Sequence, residues 1–494
     1  MTVMGADLQY RKQSVRLKPD AAYCFLNLHL VVLIAYSLGM IALGLIIGRR
    51  VKGTSDFFVA RRQLGPGLMF STMLAANIGA GSTVGATSVG YSGGLAAFWW
   101  VGAAAIGSLG LAFWIGPAMR REAAAHDLKT VGDYLEYRYS PAIRATVAVL
   151  LWIGSIFILA GQLVAIGSIL ETVAGLPSAF GCAIGGIVIT AYFAAGGLLS
   201  SARVNVVQLA VKLGGFAVAV PLALTTVGGW SGLTRVRADD PAYWSFWRYG
   251  PPGLVYLATF APSFMISPGL LQKVFGAKDD RSVRVGVGLN ALGLLLYAAV
   301  PAILGIAARG RFPELRSAND ALPTVLIFLL PSAIGAIALA AVFSAEISAS
   351  DAVLFMLTTS LAQDLYRRFI NPQAADRRVL QVARATAVAV AVLGVGLAIV
   401  LGSVVDALRI FYTLLTVSFF VPILAGLYAP HATTLEAGTS IACGIVATVV
   451  TQFATAGRGI AGLTADVIGV AAALIGFAIV YLSRITLYGS TRTL

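Results

Sequence analysis

Long apolar stretches alternate with short polar joints along almost the whole chain. A helix needs about 20 consecutive apolar residues to cross the hydrocarbon core of a bilayer. Runs of that kind fall near residues 28–48, 66–86, 94–118, 143–171, 178–197, 204–226, 252–272, 285–307, 333–363, 380–402, 407–428, 436–455 and 465–484. The pattern predicts an all-α polytopic membrane protein with thirteen transmembrane helices. The first run ends in Arg49-Arg50-Val51-Lys52 without a small-residue cleavage site, so it reads as a retained helix and not as a signal peptide.

Two of the runs are interrupted. Asn77-Ile78-Gly79-Ala80-Gly81-Ser82-Thr83 lies in the second, and Ala261-Pro262-Ser263-Phe264-Met265-Ile266-Ser267-Pro268-Gly269 in the seventh. Lipid cannot satisfy the carbonyls and amides that such breaks release, so they persist where they face a buried cavity or hold a solute or ion. Helical hydrogen bonding is therefore expected to fail around 78–82 and 262–268. Each interrupted run opens a group of five, which points to a five-plus-five inverted repeat with a binding site at mid-bilayer. On this reading residues 1–27 form an N-terminal tail, 28–63 an extra first helix and loop, 64–430 a ten-helix transport core, and 431–494 two C-terminal helices and a tail. The longer joints at 227–251 and 308–332 contain apolar and proline residues and are expected to fold as caps.

Composition narrows the class. Over 494 residues, 58% are hydrophobic and only 11% charged, with a mean hydropathy of +0.86, which excludes an ordinary soluble domain. The net charge of +14 resembles that of a nucleic-acid binder, but the basic residues lie in short joints between apolar runs, so the charge reports topology and no nucleic-acid partner is expected. Lysine and arginine concentrate in 49–63, 119–145, 198–203, 273–284, 364–384 and the C-terminal tail, which places those segments in the cytoplasm, the C-terminus with them and the N-terminus outside. Arg11, Lys12, Arg16 and Lys18 run against that assignment. Cys24, Cys182 and Cys443 are far apart, and His29, His126 and His431 lack ligand spacing, so neither a disulfide framework nor a metal cluster is expected.

Several short motifs carry a family resemblance. Leu74-Ala75-Ala76-Asn77-Ile78-Gly79 resembles the first core helix of the sodium:solute symporters, and Gly196-Gly197 with Asn205-Val206-Val207-Gln208 resembles the fifth. Ser267-Pro268-Gly269-Leu270-Leu271-Gln272-Lys273 with Ala277-Lys278 resembles the end of the broken sixth. Ile347-Ser348-Ala349-Ser350-Asp351-Ala352-Val353-Leu354 with Asp364-Leu365-Tyr366 resembles the eighth. The resemblance implies the leucine-transporter fold, alternating access and symport of a small organic solute with a cation.

It also implies a main sodium site, formed by the carbonyls of Ala75 and Ile78 with Ala345, Ser348 and Ala349. Residues 345, 348 and 349 share one helical face, and a hard monovalent cation needs several oxygens. Two departures stand out. Ala349 lacks the hydroxyl common at that place, and Asn205 stands where members with an additional sodium site carry aspartate. That additional site is expected to be absent and the main one weakened or replaced.

Lys212, Glu346 and Asp351 lie well inside apolar runs, where a charge costs roughly 2.5–3.5 kcal/mol on insertion scales. Asn205, Gln208 and Lys212 share one face, so Lys212 faces the same way as the missing aspartate, seven residues or about 10 Å further along. Two readings follow. Lys212 and Glu346 form a structural ion pair, or the Lys212 ammonium serves as an internal cation at the sodium site and couples transport to protons. Lysine suits the second role because a desolvated amine can release its proton, whereas a guanidinium stays charged. Asp351 reads as a structural partner.

Ser82, Thr83, Trp99, Trp100, Gln162, Ser263, Phe264 and Thr413 are candidates to line the solute cavity by their position relative to the breaks. Near Trp100 there is no acidic residue of the kind that sugar-carrying members of the resembled family use, so an organic acid, an amino acid or another compact metabolite is favoured over a sugar. A transport-like sensor would carry a signalling domain, and a membrane enzyme a convergent acid, base or nucleophile set; the sequence presents neither. The expectation is a monomeric, multi-pass carrier of the cell inner (plasma) membrane, with Na+ or H+ as coupling ion, no organic cofactor and no enzymatic activity.

Overall fold

The computed structural model describes residues 28–39, 42, 62–193, 198–248, 250 and 253–490. Residues 1–27, Arg49 to Lys52 and Gly196-Gly197 lie outside them. Helices α1 (Leu28–Gly39), α2 (Pro66–Asn77), α3 (Ala86–Gly93), α4 (Phe98–Gly110), α5 (Gly116–Ala125) and α6 (Val131–Arg138) lead into the long α7 (Pro141–Ala174). Then come α8 (Ser178–Phe193), α9 (Leu198–Thr226), α10 (Val255–Ile266), α11 (Pro268–Phe275), α12 (Asp280–Tyr297) and α13 (Ala299–Arg311). The chain closes with α14 (Ala321–Phe328), α15 (Ser332–Thr359), α16 (Asp376–Leu401), α17 (Val404–Tyr428), α18 (Thr434–Ala454) and α19 (Ala465–Ser490). Among the described residues, nine helical segments are long and apolar enough to cross a membrane.

Local chemistry sets the boundaries. Ser140 caps α7 by accepting a hydrogen bond from the Ile143 amide at 3.4 Å, Pro141 takes the first turn where its missing N–H costs nothing, and Gly175 ends the helix at φ 65°. Its 34 residues rise about 51 Å, more than a bilayer core requires. Before it, Thr130 and Asp133 close a capping box on α6. Arg144 then ties α6, α7 and the segment after α15 together, through Glu136 at 2.9 Å and through Asp133 and Asp364 at 2.8 Å each. Burial opposes the charge on Glu136, but the guanidiniums of Arg368 and Arg144 prevail and hold its carboxyl below the usual range.

Both interrupted runs are broken, though not identically. The first loses regular helix over residues 78–80 and resumes in a wide turn at Gly81–Gly85. In the second, the break lies within the expected 262–268 but is narrower: α10 continues through Pro262 to Ile266 and regular helix fails at Ser267, at φ −51° and ψ 121°. Pro262 removes one amide from a helix packed on both flanks, whereas Pro268 pushes the residue before it into extended backbone and starts a new helix. The Ser267 carbonyl accepts from the amides of Leu270 and Leu271 at 3.0 and 2.8 Å. A two-bond bridge links the broken elements, with the Leu64 amide donating to Gly276 O and the Lys278 amide to Leu64 O, each at 3.0 Å.

The 227–251 joint contains short helices at Gly229–Leu233 and Pro241–Trp244. It packs onto the end of α3, where the Tyr243 hydroxyl donates to Gly90 O at 3.0 Å. Below that contact α3 and α13 meet backbone to backbone. A Cβ at Gly305 would stand 2.4 Å from Thr87 O and 2.5 Å from the Tyr91 amide, so only glycine permits this approach. Gly305→Val should cost at least about 1–3 kcal/mol and lower the detergent melting temperature by several degrees. Gly214→Val, where nothing lies within 4 Å of the new Cβ, should not; equal behaviour of the two variants would show that this crossing does not limit stability.

Candidate cation and solute site

The break after α2 releases two specific oxygens. In an unbroken helix Ala75 O would receive the Gly79 amide and Ile78 O the Ser82 amide. Here the Gly79 amide donates to Ser82 Oγ at 3.1 Å and the Ser82 amide to Gly79 O at 3.0 Å. The Ala80 amide is taken up by Gln162 Oε1 of α7 at 2.9 Å. Ala75 O and Ile78 O thus point away from their own helix with acceptor capacity to spare.

Lys212 of α9 fills that capacity. Its Nζ donates to Ala75 O at 2.6 Å, to Ile78 O at 3.1 Å and to Ser348 Oγ of α15. An ammonium has three donors, and all three are used. Ser348 Oγ passes its own hydrogen on to Ala75 O at 2.8 Å, with Ala345 O at 3.3 Å as the alternative acceptor. Lys212, Ser348 and Glu346 are all fully buried. Three of the five residues expected around sodium therefore surround a lysine nitrogen. Ala345 backs them through its carbonyl. Ala349 serves packing, since a Cβ on Gly79 would stand 2.3 Å from the Ala349 Cβ.

The structural Lys212–Glu346 ion pair that the sequence left open is not formed: among the described residues no such pair lies within contact distance. The lysine reaches the stronger acceptor cluster instead. Glu346 Oε1 accepts from Thr83 Oγ1 at 2.7 Å, while Oε2 has no hydrogen-bond partner. Asn205 donates to Thr72 Oγ1 at 3.2 Å, holding α9 against α2.

Beside this cluster opens a central cavity. Asn77, Ser82, Trp100, Gln162, Phe264, Ser267, Lys273, Leu408 and Tyr412 are among its lining residues. Of the expected solute contacts, Ser82, Trp100, Gln162 and Phe264 are there. The other four have different roles or positions. Thr83 serves Glu346, Trp99 donates to Phe246 O at 2.8 Å within an aromatic cluster, and Ser263 donates to Phe260 O at 2.8 Å. Thr413 is not among the lining residues; its neighbour Tyr412 is, as a rotation of about 100° per residue dictates. Lys273 was legible only as part of a motif, at the end of an apolar run where a lysine ordinarily marks the interface.

Comparison with known proteins supplies the context. A sodium:solute symporter family model matches residues 57–444. The chain is 24% identical to a sodium/glucose cotransporter of Vibrio parahaemolyticus, over 77% of this chain and 76% of that one. It is 27% identical to the sodium/pantothenate symporter of Escherichia coli, over 70% and 73% respectively. In three dimensions it is similar to a Na+-coupled sialic acid symporter solved in a substrate-bound outward-open state, with a TM-score of 0.76, 18% identity, and 92% of this chain and 97% of that one covered.

The Gly79–Ala349 contact sets how closely the broken segment approaches α15. Gly79→Ala should destabilise by about 1–3 kcal/mol and depress transport, whereas the double variant Gly79→Ala with Ala349→Gly moves one methyl across the contact and should recover most of the loss. Strictly additive losses in a double-mutant cycle on melting temperature would show that the two residues do not constrain each other.

Proposed function

Because this chain belongs to the sodium:solute symporter family, and so is a multi-pass secondary transporter, we propose that it couples solute uptake to protons through Lys212, whose ammonium stands where the family resemblance implies sodium. The observation that carries this reading is the three-way donation of Lys212 Nζ to Ala75 O, Ile78 O and Ser348 Oγ. A sodium ion and an ammonium cannot share those oxygens. The sodium set Ala75, Ile78, Ala345, Ser348 and Ala349 then acts as the seat of an internal cation, with Asn205 supplying no compensating negative charge.

The mechanism follows from the bonds. Protonated Lys212 bridges the released carbonyls after α2 to α15 with charge-assisted hydrogen bonds, roughly twice as strong as neutral ones. Loss of the proton leaves a neutral amine with two donors, so one acceptor is orphaned and the charge contribution disappears. The elements joined at that point can then separate, which is the step alternating access requires. The charged groups acting on Lys212 are Glu346 of α15 and Lys273 of α11, and α2 contributes none. Thirteen spans in an inverted five-plus-five repeat, an outside N-terminus, a cytoplasmic C-terminus and a monomer in the plasma membrane complete the proposal, with no enzymatic step.

The test is uptake into proteoliposomes. With an inward proton gradient and no sodium, accumulation should persist; in Lys212→Met it should vanish, while exchange of labelled solute without a gradient is retained and shows that the variant is folded. Strict sodium dependence with a rate indifferent to pH would overturn the proposal and return the Ala75, Ile78 and Ser348 oxygens to a sodium ion.

A further inference from the structure

The central cavity is lined by a second lysine, whose amine makes no hydrogen bond within the described residues. Lys273 is only 5% exposed and lines the cavity with Asn77, Ser82 and Ser267. It donates no hydrogen bond and forms no ion pair within the described residues. Asp351 of α15 acts on it at longer range. The other charged groups facing this region are Lys212, which repels it, and Glu346, which is turned toward Thr83. No aspartate or glutamate lines the cavity.

A buried ammonium without a hydrogen-bond partner is costly unless something brings an acceptor to it. The protein adds a second feature of the same sign. Lys273 sits on the last turn of α11, whose eight residues begin at the Ser267 break, and Gly269 in its first turn also lines the cavity. Helical side chains lean toward the N-terminus of their helix, which for α11 is the positive end of its dipole, although the Leu270 and Leu271 amides there are already taken by Ser267 O. The lining of the same cavity also includes the apolar Phe264, Leu408 and Tyr412, with the Phe264 and Tyr412 rings 5.4 Å apart.

We infer that the transported solute is a compact organic anion, its carboxylate held by Lys273 at the start of α11 and its apolar body lying against Phe264 and Tyr412. This rests on the reading of the chain as a symporter but not on the role of Lys212. The two readings fit together in charge: one monoanion entering with one proton moves no net charge. An anion beside Lys273 also offsets the repulsion between the two ammoniums, so solute and proton favour each other's presence.

Binding to the purified protein, followed by calorimetry and thermal shift at neutral pH in potassium buffer and again in sodium buffer, tests the inference. The probes are straight-chain and branched carboxylates of about three to six carbons, 2-oxo acids of the same length, and their uncharged amides and corresponding amines. Carboxylates should bind, and amides and amines of equal size should bind at least about tenfold more weakly. Lys273→Gln should weaken the best carboxylate about tenfold or more, and Lys273→Arg should retain most of the affinity. Amides or amines binding as well as acids, unchanged carboxylate affinity in Lys273→Gln, or no response to any acid at about 10 mM would each overturn the inference. Should Lys273→Gln not fold, the ranking of acid over amide in the unaltered chain decides. Carboxylate binding that depends on Lys273 alongside sodium-driven uptake would leave this inference standing and remove only the proton reading.

Discussion

A helix broken inside a bilayer must give its released carbonyls a partner, because lipid offers none. In this protein the oxygens of Ala75 and Ile78 take the Lys212 ammonium, and much of the surrounding architecture makes that contact possible. Gln162 of α7 holds the Ala80 amide, Ser82 folds back onto Asn77 O at 2.8 Å, and Gly79 lets the segment lie against Ala349. Each of these fixes the direction of a carbonyl. Without them the acceptors would scatter and the lysine would be a charge stranded in an apolar core.

The same contact explains why two opposite charges are buried close together without touching. Three acceptors in a fixed fork satisfy an ammonium more completely than one carboxylate oxygen can, and Glu346 is occupied on one side by Thr83. Direct pairing would have left the carbonyls of the broken segment unsatisfied, at about 1–3 kcal/mol for each buried orphan. The arrangement found here places donors where the break created a need for them, and keeps the carboxylate as a longer-range counter-charge.

How far the sequence could be read depends on how local each determinant is. The break was legible because Asn77, Gly79, Gly81, Ser82 and Thr83 combine glycine with polar side chains inside an apolar run, whereas Gly214-Gly215, with no polar neighbour at hand but Lys212, leaves α9 unbroken. The facing of Lys212 was legible because Asn205, Gln208 and Lys212 repeat at helical spacing within a stretch, residues 204–224, that is otherwise apolar. The width of the second break was not legible: whether a proline such as Pro262 breaks a helix depends on what packs around it, and a single chain does not display its neighbours. Thr413 was displaced by Tyr412 because a register error of one residue turns a side chain through about 100°. Lys273 was passed over because a lysine ending an apolar run is ordinarily at the interface; only the fold, by turning α11 inward at Ser267, brings it to the cavity.

The two broken segments are mechanically joined as well as chemically adjacent. Leu64, at the approach to α2, exchanges two backbone hydrogen bonds with the end of α11, so the helix whose last residues hold Lys212 and the helix that carries Lys273 share a fixed connection. Lys212 in turn reaches α2 from α9 and touches α15 through Ser348. A change at either ammonium is therefore felt by elements that the other also contacts. Energetic coupling between two sites requires an element that both bias, and the α2 segment with its tether to α11 meets that requirement over a short path of named bonds.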